Sequence, residues 1–133
     1  MLEKVAEKYY LQGYNCAESL FLAGNEYYQL GIDESTSRLF AGFGGGLQCG
    51  AVCGALSGAV AVLSAKYVNT KAHDFEHMKP YTNLLIKEFK KLAGGIDCAH
   101  VKPLLYSKET KCLNTVIVGA KALENVINEI ENA

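Results

Sequence analysis

Residues 50–67 read GAVCGALSGAVAVLSAKY, from Gly50 to Tyr67, and carry no charge until Lys66. Gly50, Gly54 and Gly58 stand four residues apart, with Ala51, Ala55 and Ala59 beside them. That spacing puts small residues on one face of a helix. Glycine costs a helix about 1 kcal/mol per residue relative to alanine, so a glycine ridge needs something to offset it. Close packing against another helix is one such interaction. Room for a cofactor, or for another backbone, beside Cys53 is the other, and the two are compatible. Gly54 and Gly58 are therefore candidate cofactor-binding positions. The uncharged run extends from Leu39 to Ala65. It is long enough to span a bilayer, but its small residues, its Gly-rich segment and Gln48 favour a buried core helix.

Helical signals continue on both sides. Leu2, Val5, Ala6 and Tyr9 form one face of residues 2–12, opposite Glu3, Lys4, Glu7 and Lys8, and Gly13 ends this helix. Asn15 followed by Glu18 reads as a capping box that starts a second helix. That helix stops near Gly31. Asp33 or Ser35 caps a short third helix through Phe40. Gly42-Phe43-Gly44-Gly45-Gly46 is a loop by composition. Tyr81, Leu84, Leu85, Phe89 and Leu92 keep helical spacing, with Pro80 suited to the first turn and Gly94-Gly95 as a C-cap. Asp97 caps a short turn carrying Cys98. The last helix runs from about Lys111 to Asn132, with Thr110 as its cap. No strand pattern, internal repeat or linker stands out. The expectation is an all-α bundle of about five or six helices, one domain over residues 1–133.

Composition excludes several function classes. The 13 basic and 14 acidic residues are scattered and give a net charge of −1. No basic patch points to nucleic acid. The N-terminal stretch lacks the apolar core of a secretory signal. A cytoplasmic setting follows as an expectation, and with it reduced thiols.

Against that background five cysteines are conspicuous: Cys16, Cys49, Cys53, Cys98 and Cys112. Each falls at an expected helix start. Cys16 follows Asn15, Cys98 follows Asp97, Cys112 follows Thr110 by two, and Cys49 and Cys53 lie near the first turn of the Gly50 helix. Helix N-termini carry partial positive charge and free N–H groups. They favour the thiolate, which is both the nucleophile and the metal ligand. On this basis Cys16 and Cys53 are expected to ionise near neutral pH. The competing reading is that free cysteine is a small, often buried hydrophobe. No C-x-x-C pair is present, so spacing alone writes neither a thioredoxin-like motif nor zinc knuckles.

Other candidates carry less. The Gly42–Gly46 run lacks the Gly-Lys-Ser/Thr of a P-loop, and Leu47 breaks the dinucleotide-binding glycine pattern. His73 and His77 are four apart, a spacing that suits a metal but equally a solvated pair. His100, two residues from Cys98, is a candidate outer partner. No paired carboxylates or Ser/His/Asp set is evident.

Taken in order, Asn15-Cys16-Ala17-Glu18, Gly42-Phe43-Gly44-Gly45-Gly46, Cys53-Gly54-Ala55-Leu56-Ser57-Gly58, Cys98 and Cys112 resemble the C-GCAxxG-C-C family. These are small helical chains named for their cysteines and described as redox-active. The resemblance covers nearly the whole chain. It maps the family's four cysteines onto Cys16, Cys53, Cys98 and Cys112, as catalytic residues or metal ligands. Cys49 stands outside the pattern; it reads as a modulating or resolving thiol and, with Gly54 and Gly58, as a candidate cofactor-binding position. The resemblance implies a thiol or metal-cluster oxidoreductase or electron carrier, holding an iron–sulfur cluster or cycling between dithiol and disulfide. It also implies a redox partner or transporter-associated protein, since such chains are often encoded near transporters. A homo-oligomer is compatible with the sequence. The alternatives are a Zn²⁺-binding module without redox chemistry and a helical interaction protein with inert buried thiols.

Overall fold

The structure is a computed structural model that describes all 133 residues. Its first helix, α1 (Leu2–Leu11), buries Leu2, Ala6 and Tyr9, the stripe read from the sequence. The chain then turns through Gly13 at φ +104°. Next comes α2 (Cys16–Tyr27), which opens on the expected capping box. The Asn15 carboxamide accepts the Glu18 N–H, and the Glu18 carboxylate accepts the Asn15 N–H, both at 2.9 Å. From Cys16 to Asn25 nearly every residue of α2 is buried, so this is a central helix.

The end of α2 comes four residues earlier than expected. Asn25 is the reason. Its side chain accepts the Ile32 N–H and donates to the Ile32 carbonyl, folding the chain back over the helix end. The residues between include Gln29 and Gly31 in the left-handed region. Asp33 then accepts the Ser35 N–H, and Glu34–Phe43 forms a 3-10 helix. Phe40 stacks on Phe21 with ring centroids 4.8 Å apart, pinning this segment to α2.

Helix α3 (Gly54–Tyr67) begins at Gly54, not at Gly50. The residues before it are extended and bridge to the segment ahead of α5. After α3 a short turn leads to α4 (Met78–Ala93), closed by Gly94 at φ +84° as its C-cap sequence indicates. Then follow α5 (Cys98–Leu105) and α6 (Leu113–Glu131). Lys111 is left-handed (φ +57°), so α6 is capped by Cys112 and not by Thr110. The six α-helices and the long 3-10 segment make seven helices, against the five or six expected. The difference arises because the Cys98 segment is a full helix. The all-α class holds, with only isolated bridges and no strand.

One hydrophobic cluster draws on all six α-helices. The glycine ridge of α3 is where it packs most closely. A Cβ on Gly58 would stand 2.5 Å from the Ala17 carbonyl oxygen and 2.8 Å from Leu20 Cβ. The α3 and α2 backbones therefore approach at that point, with Gly24 of α2 making room for Val62 in return. Gly119 of α6 does the same for Ala55. No helix is long and apolar enough to cross a membrane.

Replacing Gly58 by Ala should therefore destabilise the fold by about 1–3 kcal/mol, although alanine is the better helix former. Gly42 faces open space, so Gly42→Ala should stay within about 0.5 kcal/mol of the parent. Thermal melting of both variants checks the contrast. Equal melting temperatures would show that α2 and α3 do not meet as described.

Candidate four-cysteine site

Four helices begin at cysteines. Cys16 and Cys98 are the first residues of α2 and α5, and Cys53 and Cys112 are the N-caps of α3 and α6. Two of these starts are tied directly. The Cys53 N–H donates to the Ile96 carbonyl at 2.8 Å, and the Cys98 N–H donates to the Ala51 carbonyl at 2.7 Å. They flank an antiparallel bridge between Val52 and Asp97. Side chains alternate faces along extended chain, so Cys53 and Cys98 share the face opposite Val52 and Asp97.

Cys16 joins them through a glycine. A Cβ on Gly54 would fall 2.5 Å from Cys16 Sγ. The absence of that side chain lets the sulfur lie against the first turn of α3, next to Cys53. Phe43 and Gly44 press on the same spot, and the Gly45 N–H lies near enough to the Cys16 sulfur to favour its thiolate. Cys112 is held from α1. Its N–H donates to Tyr10 Oη at 2.9 Å, which places that hydroxyl near its sulfur. Cys16 and Cys98 are each within electrostatic reach of the other three: Cys98 acts on Cys16, Cys53 and Cys112, while Cys16 acts on Cys53 and is acted on by Cys112.

Burial decides the acidity of these thiols. Cys16 and Cys53 are buried. Burial pushes the Cys53 thiol up to about 12; the Cys16 thiol adds to the rise, while the Ala55 and Leu56 N–H groups oppose it. Burial likewise raises Cys16, against the Gly45 and Ala17 N–H groups. Cys112 is raised by burial and by Cys98, with Lys102 and Tyr10 pulling the other way. The expectation of acidic thiols at Cys16 and Cys53 is thus overturned. A helix end is worth about 2 kcal/mol at most, and desolvating a thiolate costs more than that here.

The remaining sequence candidates divide plainly. The space beside Gly58 is filled by α2 and that beside Gly54 by Cys16, so close packing accounts for both glycines. Cys49 is exposed and lies outside the buried cluster. His100 points outward, 3.9 Å from Asp97. His73 and His77 are exposed, and His77 stacks on Tyr81. Two open clefts reach the cysteines. One, of about 720 Å³, exposes Cys98 and Cys49. The other, of about 420 Å³, is lined by the buried Cys16 and by Cys112, and Gly45 borders both clefts. Sequence reading missed Tyr10 and Lys102. In the sequence they are ordinary residues of helical surfaces, and only the fold brings them to Cys112.

Four thiols suit an iron–sulfur cluster or Zn²⁺ by donor chemistry. Their placement does not gather three ligands around a single ion: no group of three His, Cys, Asp or Glu side chains is disposed to hold one. All five cysteines are free thiols.

The chain belongs to the family described as "Putative redox-active protein (C_GCAxxG_C_C)", whose model matches residues 14–126. No curated protein and no solved structure matches it.

Thiols that hold their protons more tightly in the fold stabilise it while protonated. The Cys53 contribution is complete below about pH 9, its ordinary value, and is lost as pH rises toward about 12. Urea midpoints should fall across that alkaline window, and Cys53→Ala should flatten the fall. An unchanged slope in the variant would show that Cys53 is not buried as a thiol.

Proposed function

We propose that Cys16, Cys53, Cys98 and Cys112 work as one redox centre, in which Cys98 exchanges disulfide bonds with its neighbours. The observation that carries this reading is the place of Cys98, which alone of the four both opens on the larger cleft and is tied to Cys53 across the bridge, within electrostatic reach of Cys16 and Cys112. The family description supports the redox character. In the forward direction two cysteine thiols lose two protons and two electrons and form a disulfide. A partner disulfide takes both and leaves as two thiols. Burial makes Cys16 and Cys53 weaker acids, so these inner thiols stay protonated and slow until the half-exposed Cys98 has reacted. The partner is a redox or transporter-associated protein in a cytoplasmic setting, as the sequence leads one to expect.

A second reading has one observation in its favour. Each of the four cysteines stands at a helix N-terminus, whose partial positive charge favours an anionic group. An iron–sulfur cluster would supply one-electron transfer, but the four cysteines would have to draw closer together to hold it. A Zn²⁺ module would use the same thiols without redox chemistry.

Equilibration of the reduced protein in thiol–disulfide buffers, followed by alkylation and peptide mapping, separates these readings. The expected product is an internal disulfide that contains Cys98, and Cys98→Ser should abolish it. Thiols that all remain alkylatable, with iron and visible absorbance in anaerobically purified protein, would replace the disulfide reading by the cluster. Colourless protein carrying stoichiometric zinc would replace both.

A further inference from the structure

The larger cleft holds a thiol that the four-cysteine centre does not use. Cys49 is exposed and faces the same space as the half-buried Cys98. We propose that this cleft binds a small anionic disulfide, and that Cys49 resolves the mixed disulfide which that molecule forms with Cys98. The proposal rests on the thiol-redox reading above and names the substrate class and the second thiol of its outer face.

Three observations carry it. The cleft's volume, about 720 Å³, is that of a small-molecule site. Lys102 is the only charged residue lining it, and its ammonium sits 5.0 Å from the Tyr106 ring centroid on the same wall. An uncompensated cation beside polar Gln48 favours a carboxylate-bearing ligand over a cationic one. The segments that carry the two thiols also run side by side. A Cβ on Gly50 would stand 3.5 Å from Ala99 Cβ, and Ala51 accepts the Cys98 N–H. Cys49 and Cys98 are thus each adjacent in sequence to residues in contact. The Cys49 thiol now rests on the Gly46 carbonyl at 3.5 Å, a weak interaction that a side-chain rotation breaks.

The chemistry balances without another reagent. The Cys98 thiolate attacks one sulfur of the small disulfide, whose S–S bond breaks. One thiol leaves and takes up a proton. The Cys49 thiolate then attacks the Cys98 sulfur and expels the second thiol, which is also protonated. The small disulfide gains two electrons and two protons, and the protein gains a Cys49–Cys98 disulfide. Cys98 can pass that bond inward to Cys53. Cys53 is itself too buried to meet a dissolved disulfide first.

The test uses the reduced full-length protein with oxidised glutathione as the anionic probe and cystamine as the cationic one. Acid quenching and peptide mapping by mass spectrometry read the products. Wild type should give a Cys49–Cys98 disulfide and release both glutathione thiols. Cys49→Ser should accumulate glutathione on Cys98. Lys102→Glu should slow the reaction with oxidised glutathione and speed that with cystamine. Thermal melting confirms that each variant is folded. The proposal is overturned if Cys49→Ser clears the adduct as fast as wild type, if the adduct sits elsewhere, or if charge reversal leaves both rates unchanged. Diamide, which oxidises thiols without docking, separates the two levels. Internal disulfides formed with diamide in Cys49→Ser, but no discrimination between the probes, would remove only the cleft proposal. No internal disulfide with diamide in any variant would remove the four-cysteine redox reading as well.

Discussion

The arrangement depends on the contact between the Cys16 sulfur and the first turn of α3, at the place where any residue but glycine at position 54 would put a Cβ. That contact fixes how the starts of α2 and α3 meet. One turn further along, the same two helices close on each other at Gly58 and Ala17, and two turns beyond the contact continues through Gly24 and Val62. The glycines thus do two jobs with one geometry. They bring two backbones together to close the core, and they seat a thiol between two helix starts. The helix propensity that α3 gives up at Gly54 and Gly58 is offset by this close packing.

The electrostatics follow from the same closeness. Helix N-termini favour thiolates, but by modest amounts that fade when several sulfurs compete and water is excluded. At Cys16 and Cys53 burial outweighs the helix ends. The resting centre therefore holds protons on its inner thiols, with the half-exposed Cys98 and Cys112 at the two clefts. On the proposed thiol-redox reading, such an arrangement would shield the inner thiols from indiscriminate oxidation and direct exchange through the outer ones. The Gly44–Gly46 segment contributes by lying across the Cys16 end, with the Gly45 N–H near its sulfur. Directly after it, Leu47 and Gln48 are also left-handed. Non-glycine residues rarely adopt that conformation, and it marks this rim as a strained one.

How much of this was legible in the sequence depended on whether the deciding interaction was local. The capping box of Asn15 and Glu18, the Gly94 C-cap and the buried stripe of α1 are local, and each appears where the pattern puts it. The Gly58 ridge was legible as a requirement for close packing, although not as packing against α2 in particular. The true start of α3 was not legible. Ala51, Val52 and Cys53 are as compatible with a first helical turn as with the extended bridge they make, and only the distant residues Ile96–Cys98 settle the choice. The early end of α2 depends on Asn25 reaching Ile32. Thiol acidity was misread for the same reason: a helix end is visible in sequence, and burial is not.

The central claim is that Cys98 is the outer member through which one coupled set of thiols exchanges disulfide bonds. The most direct measurement is a redox titration of protein carrying ¹³Cβ-labelled cysteine, followed by NMR. Cβ shifts distinguish thiol from disulfide at each residue separately. The account predicts that the Cys98 signal moves together with that of one neighbouring cysteine, at a shared midpoint. It also predicts that Cys98→Ser moves that midpoint for the rest of the set. Signals of Cys16, Cys53, Cys98 and Cys112 that shift independently, or that do not shift across the whole range of thiol–disulfide potentials, would contradict it.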